Sequence, residues 1–284
     1  MSLFRIASAA VLGLFVAACT SPDKPAAPPA APAAKPAAAP APVAATPPAV
    51  VPAPPAPAPA AAVDGLVAHW TLDDVSVADA TGRGHAGVVK GKVERVDGKI
   101  GGALQLPGGG DDHVEIPNAP DLENLQEGDY TVAAWFKPAG LPPGTEAENN
   151  ANYAIVLKSG WHEGLKYTNE GKFGLDHWLK DDAWCGIGTW EKAFDPKQWH
   201  HVVGVVDRKA GQTRIYVNGA MENTGDLDGA EAAREYGQTT WKIGIGSPGA
   251  AEWRWPAKGA IDDVRLYNKA LSDAEVEKLY KAAK

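Results

Sequence analysis

Two groupings of residues in this sequence have the types and spacing to do chemistry. One is the carboxylate pair Asp262-Asp263, set inside Gly259-Ala260-Ile261-Asp262-Asp263-Val264-Arg265-Leu266-Tyr267, a run with the two-residue period of a β-strand. Strands disfavour aspartate, so these charges call for compensating partners. The other is a surplus of indoles. Of ten tryptophans, Trp70, Trp135, Trp199 and Trp241 are in phase with apolar strand residues and are expected in the core. Trp161, Trp178, Trp184, Trp190, Trp253 and Trp255 lie instead among Gly, His, Asp and Lys. An exposed indole covers the apolar C–H face of a pyranose while carboxylates, amides and imidazoles take its hydroxyls. Trp161-His162-Glu163 and Asp176-His177-Trp178 supply both kinds of group, and Trp253-x-Trp255 would set two rings on one face of an extended segment. Ligand-binding residues are therefore expected at Trp161, His162, Trp178, Trp184, Trp253 and Trp255, with carbohydrate as the partner. Packing of the same rings beneath long loops is the alternative.

Catalytic spacing is missing by comparison. The sequence has no Gly-x-Ser-x-Gly elbow, phosphate-binding Gly-rich loop or His-Glu-x-x-His pair. Its seven histidines never reach zinc-site spacing, and His200-His201 would point to opposite faces of a strand.

The elements that must position these groups are mostly strands. Leu66–Leu72, His113–Ile116, Tyr130–Lys137, Ala154–Lys158, Phe173–Trp178, Trp199–Asp207, Arg214–Asn218, Trp241–Gly246 and Ala260–Tyr267 read as strands separated by turn residues. Asn218-Gly219 between two apolar runs is a two-residue hairpin signal. Ser272-Asp273-Ala274-Glu275 is a capping box that opens one closing helix, with Leu271 and Val276 as its staple. That helix is expected over an edge or end of the sheets. The pattern specifies an all-β fold: a two-sheet antiparallel sandwich with a short C-terminal helix.

Several ordered pieces sharpen this. Leu66-Val67-Ala68-His69-Trp70-Thr71-Leu72-Asp73-Asp74, Asp79-Ala80-Thr81-Gly82-Arg83-Gly84-His85, Tyr130-Thr131-Val132-Ala133-Ala134-Trp135, Tyr216-Val217-Asn218-Gly219 and the run from Gly259 through Ser272 resemble the laminin-G-like, concanavalin A-like jelly-roll domain family. The resemblance spans residues 65–281. It implies that first and last strands lie together, and that a calcium ion is held by Asp262 with Asp73 and Asp79 from the early loop. Calcium takes roughly six to eight oxygen ligands. The alternative stays open that Asp79 makes an Asx turn and Asp263 pairs with Arg265. Retaining glucanases of this architecture carry Glu-x-Asp-x-x-Glu on one strand, and that run is absent, so a non-catalytic domain is expected.

Residues 1–19 read as an export signal: Arg5, an apolar stretch from Ile6 to Ala18, then Cys19 after Val16-Ala17-Ala18. This resembles a bacterial lipobox, which implies a lipid on Cys19, a membrane partner through that anchor, and a place in the cell envelope, at the outer membrane or in the periplasm, Thr20 favouring the outer membrane over retention at the inner one. Residues 20–63 form an Ala/Pro-rich linker; 15 of the 24 prolines fall in it, which rules out a core and favours an extended spacer. Residues 64–284 form the folded domain. The first 63 residues hold only Arg5, Lys24, Lys35 and Asp23, so the domain carries 24 basic against 34 acidic side chains. A net of −10 argues against nucleic acid as a partner. With Cys19 lipidated, Cys185 has no disulfide partner. The expected function is a lipid-anchored, calcium-stabilised, lectin-like domain, with a protein-binding scaffold module as rival and a divergent polysaccharide-cleaving enzyme third.

Overall fold

A computed structural model describes residues 63–144, 152–158, 163–180, 183–227, 235, 239–246 and 254–283. The chain divides into two units, Met1–Pro54 and Pro55–Lys284, and every described residue belongs to the second. The expected export signal with Cys19 and nearly all of the Ala/Pro-rich segment lie outside the described residues, as do Trp161, His162 and Trp253.

In chain order the strands are β1 (Leu66–Trp70), β2 (Val88–Lys90), β3 (Glu94–Asp97), β4 (Gly102–Pro107), β5 (His113–Ile116), β6 (Tyr130–Pro138), β7 (Asn152–Lys158), β8 (Glu163–Thr168), β9 (Phe173–Asp176), β10 (Ile187–Gly188), β11 (His200–Asp207), β12 (Gln212–Val217), β13 (Ala220–Asp226), β14 (Trp241–Ile243) and β15 (Lys258–Tyr267). One sheet, A, has the order β13-β12-β11-β6-β15-β4-β3, with β1 also pairing β15. The other, B, has the order β10-β9-β8-β7-β14-β5-β2. The expected closure is present: β1 runs antiparallel to β15, with Trp70 opposite Val264.

Period-two alternation builds the core between the sheets. Leu104, Val132, Phe136, Val202 and Leu266 of sheet A meet Val156, Leu165, Phe173, Leu175 and Trp241 of sheet B. Burial of each such side chain contributes about 1.5–3 kcal/mol. The β12–β13 hairpin turns at Asn218 and Gly219, whose φ values of 55° and 82° are those a type I′ turn needs.

The closing helix, α1 (Asp273–Ala282), begins with the expected capping box: Ser272 accepts from the Glu275 N–H and Glu275 returns to the Ser272 backbone. Its place differs from the edge-or-end expectation. Leu271, Val276 and Leu279 pack on Ala133, Val203, Val205, Tyr216 and Tyr267, so the helix covers the outer face of sheet A. That face is apolar at these positions and would otherwise meet water.

Trp70, Trp135 and Trp241 are buried as expected. Trp199 is not a core residue: it is half-buried, one position before β11. Trp135 is buried outside the inter-sheet core, on the outer face of sheet A, where its ring lies 5.1 Å from that of His201 and 5.7 Å from that of Tyr280.

Enclosure pushes the His201 imidazole down to about 4, with Asp263 partly opposing and Arg265 reinforcing the effect. A histidine depressed in the folded state binds its proton more readily when unfolded, so stability falls as pH drops from about 6.5 through about 4. The loss attributable to this residue is on the order of 3 kcal/mol by pH 4. In urea titrations across that range His201→Phe is expected to lose this share of the acid destabilisation; a variant with the wild-type pH profile would contradict the assignment.

Candidate functional site

The outer face of sheet B carries a repeated device. Trp184, Gly186, Gly188 and Trp190 recur at intervals of two, so an extended backbone sends all four to one side. Each ring lies on the bare backbone of a glycine. A Cβ on Gly186 would come within 2.2 Å of the Trp184 ring, and one on Gly188 within 2.4 Å of the Trp190 ring. Glycine in a strand interior marks such close approach. Trp184 is 47% exposed and Trp190 37%, among the most exposed large apolar side chains described.

The first of these rings is fixed in direction. Trp184 Nε1–H donates to Asp176 Oδ1 at 2.8 Å, and Lys166 Nζ donates to the same oxygen at 2.8 Å. The ammonium lies 5.9 Å from the Trp184 ring centre and 5.4 Å from that of Trp255, within cation–π range. Gly174 stands opposite Lys166 in the β8–β9 ladder and leaves room for its stem. The result is a rigid indole beside a carboxylate and an ammonium.

The expected ligand residues divide. Trp184 is exposed on this face; Trp178 is half-buried and pairs with Trp184 through an isolated bridge. Trp255 is a correction. It is only 5% exposed, packs on Ala154 and Leu157, and has φ of 43°, so it is not an exposed ring on an extended segment. Trp161, His162 and Trp253 lie outside the described residues. Asp176-His177-Trp178 is split by alternation: Asp176 faces outward, whereas His177 faces inward, where its Nδ1 and Glu163 Oε1 are 2.5 Å apart and Tyr130 donates to the same oxygen. Sequence reasoning missed Lys166 and left Trp190 unassigned; the spacing Trp-x-Gly-x-Gly-x-Trp was the available signal.

The acidic cluster lies on sheet A. Asp262 is fully buried, and its Oδ2 accepts from Lys99 N–H (2.7 Å) and Ile100 N–H (2.8 Å). Asp73 Oδ1 accepts from Gly102 N–H at 2.7 Å. Both carboxylates thus grip the turn between β3 and β4. Burial drives the Asp262 carboxyl up to about 7, with Asp263 and Asp73 adding repulsion against two backbone hydrogen bonds. Its neighbour differs: burial would raise Asp263, but His69, at 2.6 Å, and the Arg265 guanidinium, at 2.9 Å, hold it below the ordinary carboxylate range.

Asp79 does not join them. Its Oδ1 accepts from His69 N–H and Thr81 N–H, and its Oδ2 from His85 N–H. Desolvation opposes its ionisation, but Thr81, His69 and His85 outweigh it and keep the carboxyl below its ordinary value. Among the described residues no three acidic, histidine or cysteine side chains gather as a metal centre. The fit to calcium therefore reduces to Asp73 and Asp262, with one pointed observation in its favour: Asp262 Oδ1 is buried without a hydrogen-bond partner.

A family model described as the concanavalin A-like lectin/glucanases superfamily matches residues 108–277. No curated protein matches the sequence. Among solved structures, domain 4 of the extracellular GH43 arabinanase AbnA from Geobacillus stearothermophilus, in complex with arabinotriose, aligns with TM-score 0.55 and 23% identity over 77% of this chain and 98% of that one. The binding domain of Paraclostridial Mosquitocidal Protein 1 aligns with TM-score 0.60 and 17% identity over 76% of this chain and 52% of that one. The binding domain of botulinum neurotoxin DC, in complex with SialylT, aligns with TM-score 0.58 and 15% identity over 78% and 52%. The chain thus spans about half the length of the toxin binding domains it matches.

Asp79 is expected to act as a hydrogen-bond hub rather than a metal ligand. Asp79→Ala strands three backbone donors, from His69, Thr81 and His85, and is expected to cost about 3 kcal/mol or more in chemical denaturation, with or without chelator. A loss below about 1 kcal/mol, or one confined to calcium-loaded protein, would contradict this role.

Proposed function

The chain belongs to the concanavalin A-like lectin/glucanases superfamily, and from that premise we propose that it is a non-catalytic carbohydrate-binding protein. Its domain is carried on an extended Ala/Pro spacer from a bacterial cell envelope, anchored by lipid on Cys19. The observation that carries the reading is the Trp184-x-Gly186-x-Gly188-x-Trp190 array, two exposed rings laid flat on glycine backbone. A pyranose stacks its C–H face on these indoles, while the Lys166 ammonium and the Asp176 carboxylate border the ring with polar groups. Because Asp176 already fixes Trp184, little side-chain freedom remains to be lost on binding. The bound arabinotriose in the arabinanase domain and the SialylT in the neurotoxin domain support saccharide as the ligand class.

The carboxylates also support a binding role. Glu163 is enclosed with Tyr130 and His177, and Asp176 is engaged by Lys166 and Trp184, so neither is presented as an uncommitted acid or base. Glycoside hydrolysis requires two such groups flanking the scissile bond.

Where calcium binds, Asp262 and Asp73 would hold it, and its charge would offset the repulsion between their carboxylates. The orphaned Asp262 Oδ1 supports this placement.

Two measurements test these readings. On a glycan array the full-length chain is expected to bind, and Trp184→Ala with Trp190→Ala to weaken binding by roughly ten-fold or more while the melting temperature holds. An array without binding, or a double variant with wild-type affinity, would overturn the lectin; a protein partner recovered by pull-down from an array-silent chain would favour the scaffold. Chelation of calcium is expected to lower Tm by roughly 4 °C or more, and by more at pH 8 than at pH 5, where the proton on Asp262 competes. An unchanged Tm at both values would remove the metal.

A further inference from the structure

A second recognition surface crosses the outer face of sheet A, beyond the area covered by α1. Cross-strand register builds it. Gln105 of β4 is opposite Ala260 of β15, and Ala260 is opposite Lys137 of β6. His200 is opposite Phe136, so one step further Trp199 falls opposite Lys137. Directly opposed residues share a face of the sheet, which makes Trp199, Lys137, Ala260, Gln105 and, at the far end, Glu94 of β3 one row. Ala260 is the smallest member and sits between longer neighbours. The row is accordingly concave there, and the hollow has a volume of about 380 Å³. Such a volume falls within the range of small-ligand sites.

The chemistry of the hollow is distinct from that of the indole face on sheet B. Trp199 is half-buried, and its indole N–H has no acceptor among the described residues. Lys137 and Lys197 both line the hollow, both are exposed, and neither makes an ion pair with a described residue. Asp97 also lines it, but Asp97 has a basic neighbour of its own, Arg95, at 3.7 Å. Gln105 donates to the carbonyls of Leu106 and Gly259, which leaves its amide oxygen for a ligand hydroxyl.

Lys197 is held in place by its backbone. Its φ is 68°, a left-handed conformation uncommon for lysine, and its N–H donates to Pro138 O at 2.7 Å. Strained residues persist where the surrounding structure over-determines them, and they cluster at binding sites. Here that backbone sets Lys197 against Pro138 at the end of β6, on the hollow that Lys137 also lines. The hollow thus holds two lysines that make no ion pair with a described residue against one carboxylate, Asp97, a local excess of positive charge in a domain of net charge −10.

We propose that this hollow binds an acidic sugar ring, its C–H face against Trp199 and its carboxylate or sulfate between Lys137 and Lys197. One anionic substituent matches two ammonium groups, whereas a dense polyanion would meet repulsion from the rest of the domain.

Calorimetry on the full-length chain tests this with three probes: tri-galacturonate, its methyl ester, and a sulfated galactose trimer. At least one charged probe is expected to bind roughly ten-fold or more tighter than the ester, with affinity falling as salt rises. The charged probe that binds identifies the substituent. Lys137→Ala with Lys197→Gly, the glycine chosen to keep the left-handed backbone unstrained, is expected to remove that preference. Trp199→Ala is expected to weaken charged and neutral probes alike. Equal affinity for acid and ester, no binding of any probe, or a charge preference that survives the lysine changes would overturn the proposal. So would loss of acidic-probe binding in Trp184→Ala but not in the lysine variant, which would move the ligand to sheet B.

Discussion

The structure depends on satisfying three buried ionisable side chains in one central strand. Asp262, Asp263 and Arg265 of β15 are 0%, 7% and 8% exposed. An uncompensated buried charge costs several kcal/mol, so the strand is viable only where partners reach it. Arg265 compensates Asp263 within the strand, and His69 reaches it from β1, nearly two hundred positions earlier. Backbone N–H groups of the β3–β4 turn reach Asp262, and Asp73 holds the same turn from the other end. Meeting these requirements brings the domain's two ends together, and the jelly-roll closure follows from them as much as from apolar burial.

That constraint bears on both proposed surfaces in different ways. On sheet A, Asp262 fixes the hairpin that supplies Asp97 and Val96 to the acidic-sugar hollow, so a buried electrostatic pin shapes an exposed recognition surface. Helix α1 covers the apolar part of the same face and leaves Trp199 uncovered. On sheet B the device is steric: glycines at alternate positions let two indoles lie flush, and Asp176 orients the first. Both faces use rings placed by backbone geometry, which limits the entropy lost when a ligand arrives.

Local signals were legible in the sequence. The capping box at Ser272 and the Asn218-Gly219 turn each involve residues within a few positions of one another, and the structure has both. The β1–β15 pairing was legible only through family resemblance, because period-two alternation says that a strand exists without naming its neighbour. Strands β2, β3 and β13 went unread because most of their residues are exposed and they carry no apolar period; β10 is only two residues long, and β4 and β8, though largely buried, carry Gly, Gln, Glu and Lys where strand formers would signal them. Trp255 was misjudged because its burial depends on a left-handed backbone at a non-glycine residue, which no spacing reveals. Trp199 looked like core because it is in phase with β11; the limited reach of α1 decides its exposure. For Asp79, the Asx turn to Thr81 was the better guide than the family's ligand set.

The central claim is that Asp262, from the last strand, clamps the backbone of a turn more than 160 positions earlier in sequence. Amide hydrogen exchange resolved by NMR at Lys99 and Ile100 tests it most directly. In the wild-type chain both amides are expected to exchange roughly a hundred-fold more slowly than in Asp262→Ala, while the β12–β13 amides keep their protection. Equal exchange at Lys99 and Ile100 in the two proteins would contradict the account.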